Sequence, residues 1–218
     1  MKPWNGPFAN TLTVGMLAFM LASPASAAFT YFSDEGLFNS AHSLPLTMEG
    51  FEGFSTGDGE PVVASDFTLT TTAGTGGINQ SYLGVYATEG VNYFGWVYGD
   101  NTSLTIAFDS PQSVFSMDFT DLASVGAITI DVFADGGLAP VVPTINIDHG
   151  FNHGYLDFLG LVSDSPFSTL EFSFAVSEWA GVDRIQYGAS PVPLPAAVWL
   201  FGAALFGLAG FTRRKQSA

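Results

Sequence analysis

Cysteine is absent from the 218 residues of this chain. The chain therefore forms no disulfide bonds and carries neither a thiol nucleophile nor a thiolate metal site. Any folded domain in it must be stabilised by its hydrophobic core.

Basic residues are scarce, with five lysines and arginines against 20 acidic residues. Residues 28–190 contain all 20 acidic residues and a single basic one, Arg184, which gives this region a formal charge of −19. The other four basic residues lie near the chain ends: Lys2, Arg213, Arg214 and Lys215. Because nucleic-acid binding depends on lysine and arginine displacing counterions, the composition excludes a nucleic-acid partner.

Sequence motifs of common enzyme classes are also missing. There is no Gly-x-Ser-x-Gly elbow and no His-Glu-x-x-His pair, and residues 74–77 lack the lysine of a phosphate-binding loop. His149 and His153 have a zinc-like spacing, but the glycines around them predict a loop rather than the helix that such a pair needs. We do not predict an enzyme, although 20 carboxylates leave a glycan hydrolase open as an alternative.

An apolar segment introduced by two prolines occupies the C-terminal end. Residues 192–196 read Val-Pro-Leu-Pro-Ala, residues 196–211 carry no charge, and Arg213, Arg214 and Lys215 follow. A helix of that length spans about 24 Å, against a bilayer core of about 30 Å. We therefore predict a short transmembrane helix over 196–211, with the basic residues 213–215 inside and the chain before Pro191 outside.

The order of motif, apolar helix and basic end resembles the PEP-CTERM class of bacterial sorting signals. The agreement is with the variant whose motif reads Val-Pro-Leu-Pro-Ala, and it holds at Val192, Pro193, Leu194, Pro195 and Ala196. This resemblance implies that residues 191–218 form a sorting signal, cut by an exosortase that passes the protein on to the cell surface or extracellular matrix. The unprocessed precursor would be anchored in the inner membrane.

The N-terminal end has the features of a signal peptide. Lys2 precedes an apolar stretch from Leu12 to Leu21, and Ala25 and Ala27 provide the small residues that signal peptidase prefers. We predict a signal peptide over residues 1–27, with a non-cleaved anchor as the alternative. Residues 28–190 then form one acidic domain of ordinary size.

Alternation of apolar and polar residues dominates this domain and predicts strands. Asp- and Gly-rich segments between the strands predict turns, among them residues 109–111, 135–137 and 163–166. The predicted strands cover residues 66–72, 82–87, 91–98, 104–109, 115–120, 128–132, 145–147 and 170–176. Many short strands at this spacing predict an all-β protein, an antiparallel jelly-roll-like β-sandwich.

Both ends of the domain resemble the first and last strands of jelly-roll ectodomains found upstream of such sorting signals. The similar segments are residues 48–54 and residues 181–188, although Arg184 stands where those ectodomains commonly have a second acidic residue. Jelly rolls of the carbohydrate-binding kind often hold a structural calcium between these strands, coordinated by carboxylate and carbonyl oxygens. The resemblance therefore makes Glu49, Glu52 and Asp183 candidate calcium ligands.

Aromatic residues provide the candidate ligand surface. Phe94, Trp96 and Tyr98 would project from one face of a strand, and flat aromatic rings suit sugar rings as well as hydrophobic cores. Three functions follow. The favoured one is a structural or adhesive protein of the cell surface or extracellular matrix, and the alternatives are a carbohydrate-binding module with structural calcium, which would make polysaccharide a partner, and a glycan hydrolase.

Overall fold

The computed structural model describes residues 27–72, 74–80, 86–98, 102–123, 128–147, 156–174 and 178–189. Ala25, the sorting motif 192–196, the predicted membrane helix 196–211 and the basic residues 213–215 lie outside these ranges. Within them, no helix is long and apolar enough to cross a membrane.

The described residues form eleven strands in one antiparallel hydrogen-bonded system, together with one short helix. Seven of the eight predicted strands overlap observed strands, but two of them, over residues 104–109 and 115–120, belong to the single strand Thr102–Ala123. The eighth, over residues 82–87, lies largely outside the described residues. The elements in chain order are β1 (Phe29–Phe32), α1 (Glu35–Ala41), β2 (Thr47–Glu49), β3 (Val62–Val63), β4 (Phe67–Thr71), β5 (Gly77–Gln80), β6 (Asn92–Tyr98), β7 (Thr102–Ala123), β8 (Ile128–Ala134), β9 (Ile145–Ile147), β10 (Leu156–Phe174) and β11 (Glu178–Gly188).

Two long strands, β7 and β10, pair with each other and run through both layers of a sandwich. Residues 102–108 of β7 pair with β4 on one side and residues 169–174 of β10 on the other. Residues 114–120 of β7 pair instead with residues 156–162 of β10 and with β11. The first layer adds β3, β8 and β9, and the second adds β1, β2, β5 and β6.

The predicted turns at residues 109–111 and 163–166 are wrong, because both segments lie inside strands. They mark the places where β7 and β10 pass from one layer to the other, and the register between the strands shifts from Val162 to Thr169. The predicted turn over residues 135–137 is confirmed, with positive φ angles at Asp135 and Gly136.

The core lies between the two layers and is rich in aromatic rings. Trp96 of the second layer lies 5.5 Å from Phe174 of the first, and Tyr187 of the second lies 5.5 Å from Phe67 of the first, both measured between ring centroids. Each fully buried side chain of this size contributes about 1.5–3 kcal/mol relative to an exposed one. The prediction of an all-β antiparallel sandwich is confirmed.

Helix α1 was not predicted from the sequence. Its N-cap is Asp34, whose carboxylate accepts a hydrogen bond from the backbone N–H of Leu37 at 2.8 Å. The helix covers the outer face of the second layer, where the buried ring of Phe38 lies over Gly160 of β10. A side chain larger than hydrogen at position 160 would collide with that ring.

Candidate functional site

A cleft opens at the edge of the sandwich where β1 of the second layer approaches β9 of the first. Its volume is about 160 Å³. Its polar side chains are those of Tyr31 and Ser33 at the end of β1 and Asp157 of β10. The apolar side chains of Phe119, Ile145, Ile147 and Leu159 complete the wall. Asn146 and Phe158 border the cleft from the opposite faces of their strands: Asn146 is exposed between Ile145 and Ile147, and the ring of Phe158 packs on Phe38.

Strand alternation explains how a carboxylate comes to line this cleft. Asp157 is two residues before Leu159, so both side chains project from the same face of β10. Leu159 is buried in the core, whereas Asp157, nearer the end of the strand, is only half-buried. The carboxylate therefore points inward at the mouth of the sandwich.

Tyr31 lines the same cleft, close enough for the charge of Asp157 to act on its hydroxyl, while its ring packs against the core. Burial and the negative charge of Asp157 raise the pKa of Tyr31, and a hydrogen bond with the Ser33 side chain acts in the opposite direction. The phenol therefore stays neutral at physiological pH and can donate a hydrogen bond.

The cleft combines an apolar wall with a few hydrogen-bonding groups, which is the usual composition of a small-molecule site. It is smaller than the roughly 300–1,000 Å³ pockets that hold drug-sized ligands, so it suits a single ring or the end of a chain. Among its described lining residues, Asp157 is the one carboxylate.

The hydrophobic-core interpretation of Phe94 and Trp96 is confirmed, and the ligand-surface interpretation of these two residues is wrong. Phe94 and Trp96 are both 0% exposed and pack in the core, with ring centroids 5.8 Å apart. The side chain of Tyr98 lies outside the described part of the chain. The alternation along β6 correctly separates two faces, but this face is directed to the other layer rather than to solvent.

Asp183, a predicted calcium ligand, is fully buried under the segment 86–90. Its Oδ2 accepts hydrogen bonds from the backbone N–H groups of Thr88 at 2.6 Å and Glu89 at 2.9 Å, and its Oδ1 accepts one from Arg184 N–H at 2.7 Å. Burial raises the pKa of Asp183 to about 6, against the lowering effect of these hydrogen bonds.

The other two predicted ligands also accept backbone N–H groups. Glu52 Oε1 accepts from both Val91 and Asn92 at 2.7 Å, and Glu49 Oε1 accepts from Phe51 at 2.8 Å. Glu52 and Asp183 thus attach the same chain segment, residues 88–92, to the second layer.

These contacts do not form a calcium cage. Calcium requires six to eight oxygen ligands at about 2.3–2.6 Å, yet within the described residues no three acidic or histidine side chains converge on a common point. The oxygens of Glu49, Glu52 and Asp183 are directed at N–H donors instead. The residues present therefore do not fit a structural calcium in this arrangement.

Arg184 follows Asp183 in β11, at the position where the similar ectodomains commonly have a second acidic residue. Its positive charge lies near two carboxylates. Its guanidinium donates to Asp118 from Nε at 2.8 Å and from a terminal nitrogen at 3.0 Å, and to Glu35 at 2.5 and 3.1 Å. Arg184 has φ of 48° within a one-residue bulge of β11 against β7, between Asp183 and Gln186. The bulge directs the side chain toward β7 and α1.

Sequence reasoning missed the cleft because its polar residues are far apart in the chain. Tyr31 and Asp157 come together only through the pairing of β1 with β10, in which Tyr31 is opposite Leu161. Asp157 lies beside a predicted loop and carries no motif of its own. The one available signal was a carboxylate at an inward-facing position of an alternating strand.

The fold and cleft describe an antiparallel β-sandwich with a small polar site at its open edge. Neither a protein-family model nor a curated protein matches the sequence. Among solved structures, the chain is similar to the K2 cleaved adhesin domain of Lys-gingipain, with 13% identity and a TM-score of 0.45 over 66% of this chain and 99% of that one.

Two carbohydrate-binding modules are also similar. A CBM35 from Paenibacillus barcinonensis is 17% identical with a TM-score of 0.41, over 66% of this chain and 99% of that one. A family 6 carbohydrate-binding module is 12% identical with a TM-score of 0.38, over 66% and 94% of the two chains. All three TM-scores are below 0.5, so the function is proposed from the residues of this chain.

Proposed function

We propose that this chain is the precursor of an exported, non-catalytic carbohydrate-binding protein of the cell surface or extracellular matrix. Its acidic, jelly-roll-like sandwich is the binding domain. The observation that carries the proposal is the cleft between β1 and β9, where the polar side chains of Tyr31, Ser33 and Asp157 lie next to an apolar wall. Sugars present the same combination, with hydroxyl edges that form hydrogen bonds and C–H faces that pack on apolar side chains.

The proposal is tested by the affinity of purified residues 28–190 for a panel of oligosaccharides, measured by calorimetry. Tyr31→Phe removes the hydroxyl that lines the cleft but keeps the ring that packs against the core, so it should preserve the fold and weaken binding about fivefold or more, as expected for one lost hydrogen bond. Gln80→Ala is the matched control, because Gln80 is exposed on β5 at the opposite edge of the strand order. Equal binding by the two variants would exclude the cleft as the binding site.

Export and C-terminal processing form the second part of the proposal, supported by the sequence of residues 192–215. The proline motif, the apolar segment and the basic end together give the order of a sorting signal handled by an exosortase. Mass spectrometry of the protein from its host should show loss of residues 1–27 and a new C-terminus near Pro195. Replacing Pro193 and Pro195 by alanine should leave the chain uncut and in the membrane; release of that variant at normal size would contradict this proposal.

A further inference from the structure

The single lysine or arginine of this domain is held by two carboxylates at a position away from the cleft. Arg184 is the single lysine or arginine between residues 28 and 190, and its guanidinium is bound by Glu35 and Asp118. These contacts lie on the outer face of the second layer, among α1, β7 and β11, and Arg184 is not part of the cleft lining. An anionic sugar entering the cleft would therefore meet no arginine or lysine to bind its charge.

A negative charge, by contrast, is present inside the cleft. The Asp157 carboxylate is half-buried, the neutral Tyr31 side chain lines the same cleft, and the surrounding domain carries a formal charge of −19. Low-dielectric walls strengthen the interaction of such a carboxylate with a cation, and the net charge raises the local concentration of cationic ligands. A carboxylate and an ammonium group also form hydrogen bonds about twice as strong as neutral pairs do.

We propose that the cleft binds an amino sugar with a free, protonated amino group, held by Asp157, while Tyr31 binds a neighbouring hydroxyl. This inference rests on the proposed function, and it narrows the ligand from glycans in general to cationic glycans. The ligand class is thus polysaccharide containing unacetylated 2-amino-2-deoxy sugar, in preference to its acetylated form and to uronic-acid polymers.

The test compares three oligosaccharides of equal length by calorimetry at pH 6: a β-1,4-glucosamine oligomer, its fully N-acetylated counterpart and an oligogalacturonate. Oxygen substituents on the neighbouring carbons lower the pKa of this amine from about 10.4, the value for lysine, toward about 8, the value for an α-amino group, so most of the amine is protonated at pH 6. We expect the glucosamine oligomer to bind about tenfold or more tightly than the acetylated one, the size of effect that one charge-assisted hydrogen bond gives. At pH 9, where the amine is neutral, the two should bind alike.

Two variants with the same change in net charge separate the cleft from the acidic surface as a whole. Asp157→Asn removes the carboxylate in the cleft, and Asp109→Asn removes an exposed one outside it. We expect the preference for the amine to disappear in Asp157→Asn and to persist in Asp109→Asn. Circular dichroism of both variants checks the fold, and the comparison of ligands on the unaltered domain does not depend on either variant.

Each alternative outcome has a separate meaning. If the acetylated and free oligomers bind equally at pH 6, the inference is overturned while the proposed glycan-binding function stands. If Asp157→Asn and Asp109→Asn lose the preference to the same extent, the diffuse acidic surface attracts the amine and the assignment to Asp157 is overturned. If none of the three oligosaccharides nor the wider panel binds, the proposed function itself fails.

Discussion

At the scale of single residues, Arg184 neutralises a buried carboxylate. Asp118 is buried, with 5% of its surface exposed, and Arg184 is its cationic partner. Removing one partner of a buried ion pair leaves an uncompensated charge, which destabilises a protein by about 3 kcal/mol or more. We expect Arg184→Ala to lower the free energy of unfolding, measured in urea, by about that amount.

Arg184→Lys is the matched control, because it keeps the positive charge and removes the planar guanidinium group. A lysine keeps the positive charge but lacks the planar fork that contacts Asp118 and Glu35 together, so its loss should be intermediate. Unfolding midpoints of both variants equal to that of the unaltered domain would show that the guanidinium contributes nothing to stability.

Asp183 gives a pH dependence of defined sign. Burial raises its pKa in the folded domain to about 6, above the value of about 3.9 for an unfolded chain. The folded state therefore binds more protons than the unfolded state in this interval, and its stability decreases as pH rises from about 4 to about 6. In Asp183→Asn this part of the slope should be missing, as measured by urea unfolding at several pH values; parallel slopes would refute the assignment.

At the scale of elements, two glutamates each attach one loop to the sandwich. Glu52 accepts the N–H groups of Val91 and Asn92, and Glu60 accepts those of Thr71 at 2.7 Å and Gly76 at 2.5 Å. A hydrogen bond to a charged group contributes about 1.5–3 kcal/mol, so its loss should speed local amide exchange by about tenfold or more.

The two glutamates serve as controls for each other in a hydrogen-exchange experiment. Glu52→Ala should accelerate exchange at Val91 and Asn92 and leave Thr71 and Gly76 unchanged. Glu60→Ala should do the reverse. Acceleration at both loops in either variant would mean that global unfolding, rather than the release of one loop, governs exchange.

Two elements show where local sequence patterns do not predict the structure. Asp109-Ser110-Pro111 has the composition of a turn, yet it forms a bend inside β7, because the chain beyond it continues to pair with β10. Local composition identifies a break in regular pairing but does not tell a reversal from a bend. Helix α1 was not predicted for a related reason, since it has only seven residues. Phe38 packs on Gly160 and helps to stabilise the helix, and no local sequence pattern indicates that contact.

At the scale of the whole molecule, we expect folding to be independent of calcium. The carboxylates of Glu49, Glu52 and Asp183 accept N–H groups and do not converge on a metal position. The melting temperature of residues 28–190 should therefore be the same in EDTA and in millimolar calcium. Magnesium at equal ionic strength controls for screening of the acidic surface. Stabilisation by calcium beyond that by magnesium would show that the three carboxylates rearrange around the ion.

The sequence predicted the class of fold but not the location of the cleft, because alternation along a strand is local information and the cleft depends on contacts between distant strands. A period of two shows that a strand has two different faces, which is sufficient for an all-β antiparallel prediction. It does not show which face meets the other layer, so the alternation alone leaves Phe94 and Trp96 either in the core or on a ligand surface, and the structure places them in the core. Tyr31 and Asp157 become neighbours through strand pairing over more than a hundred residues of chain, and no local spacing encodes that contact.

The position of β11 has a mechanical consequence. This last strand pairs with β7 along one edge and with β2 and β6 along the other. A tensile force applied through the residues that follow Gly188, and directed along the strand, must shear both rows of backbone hydrogen bonds together instead of peeling them apart one at a time. A domain held at its C-terminal end and pulled from its opposite side would therefore resist extraction of its final strand.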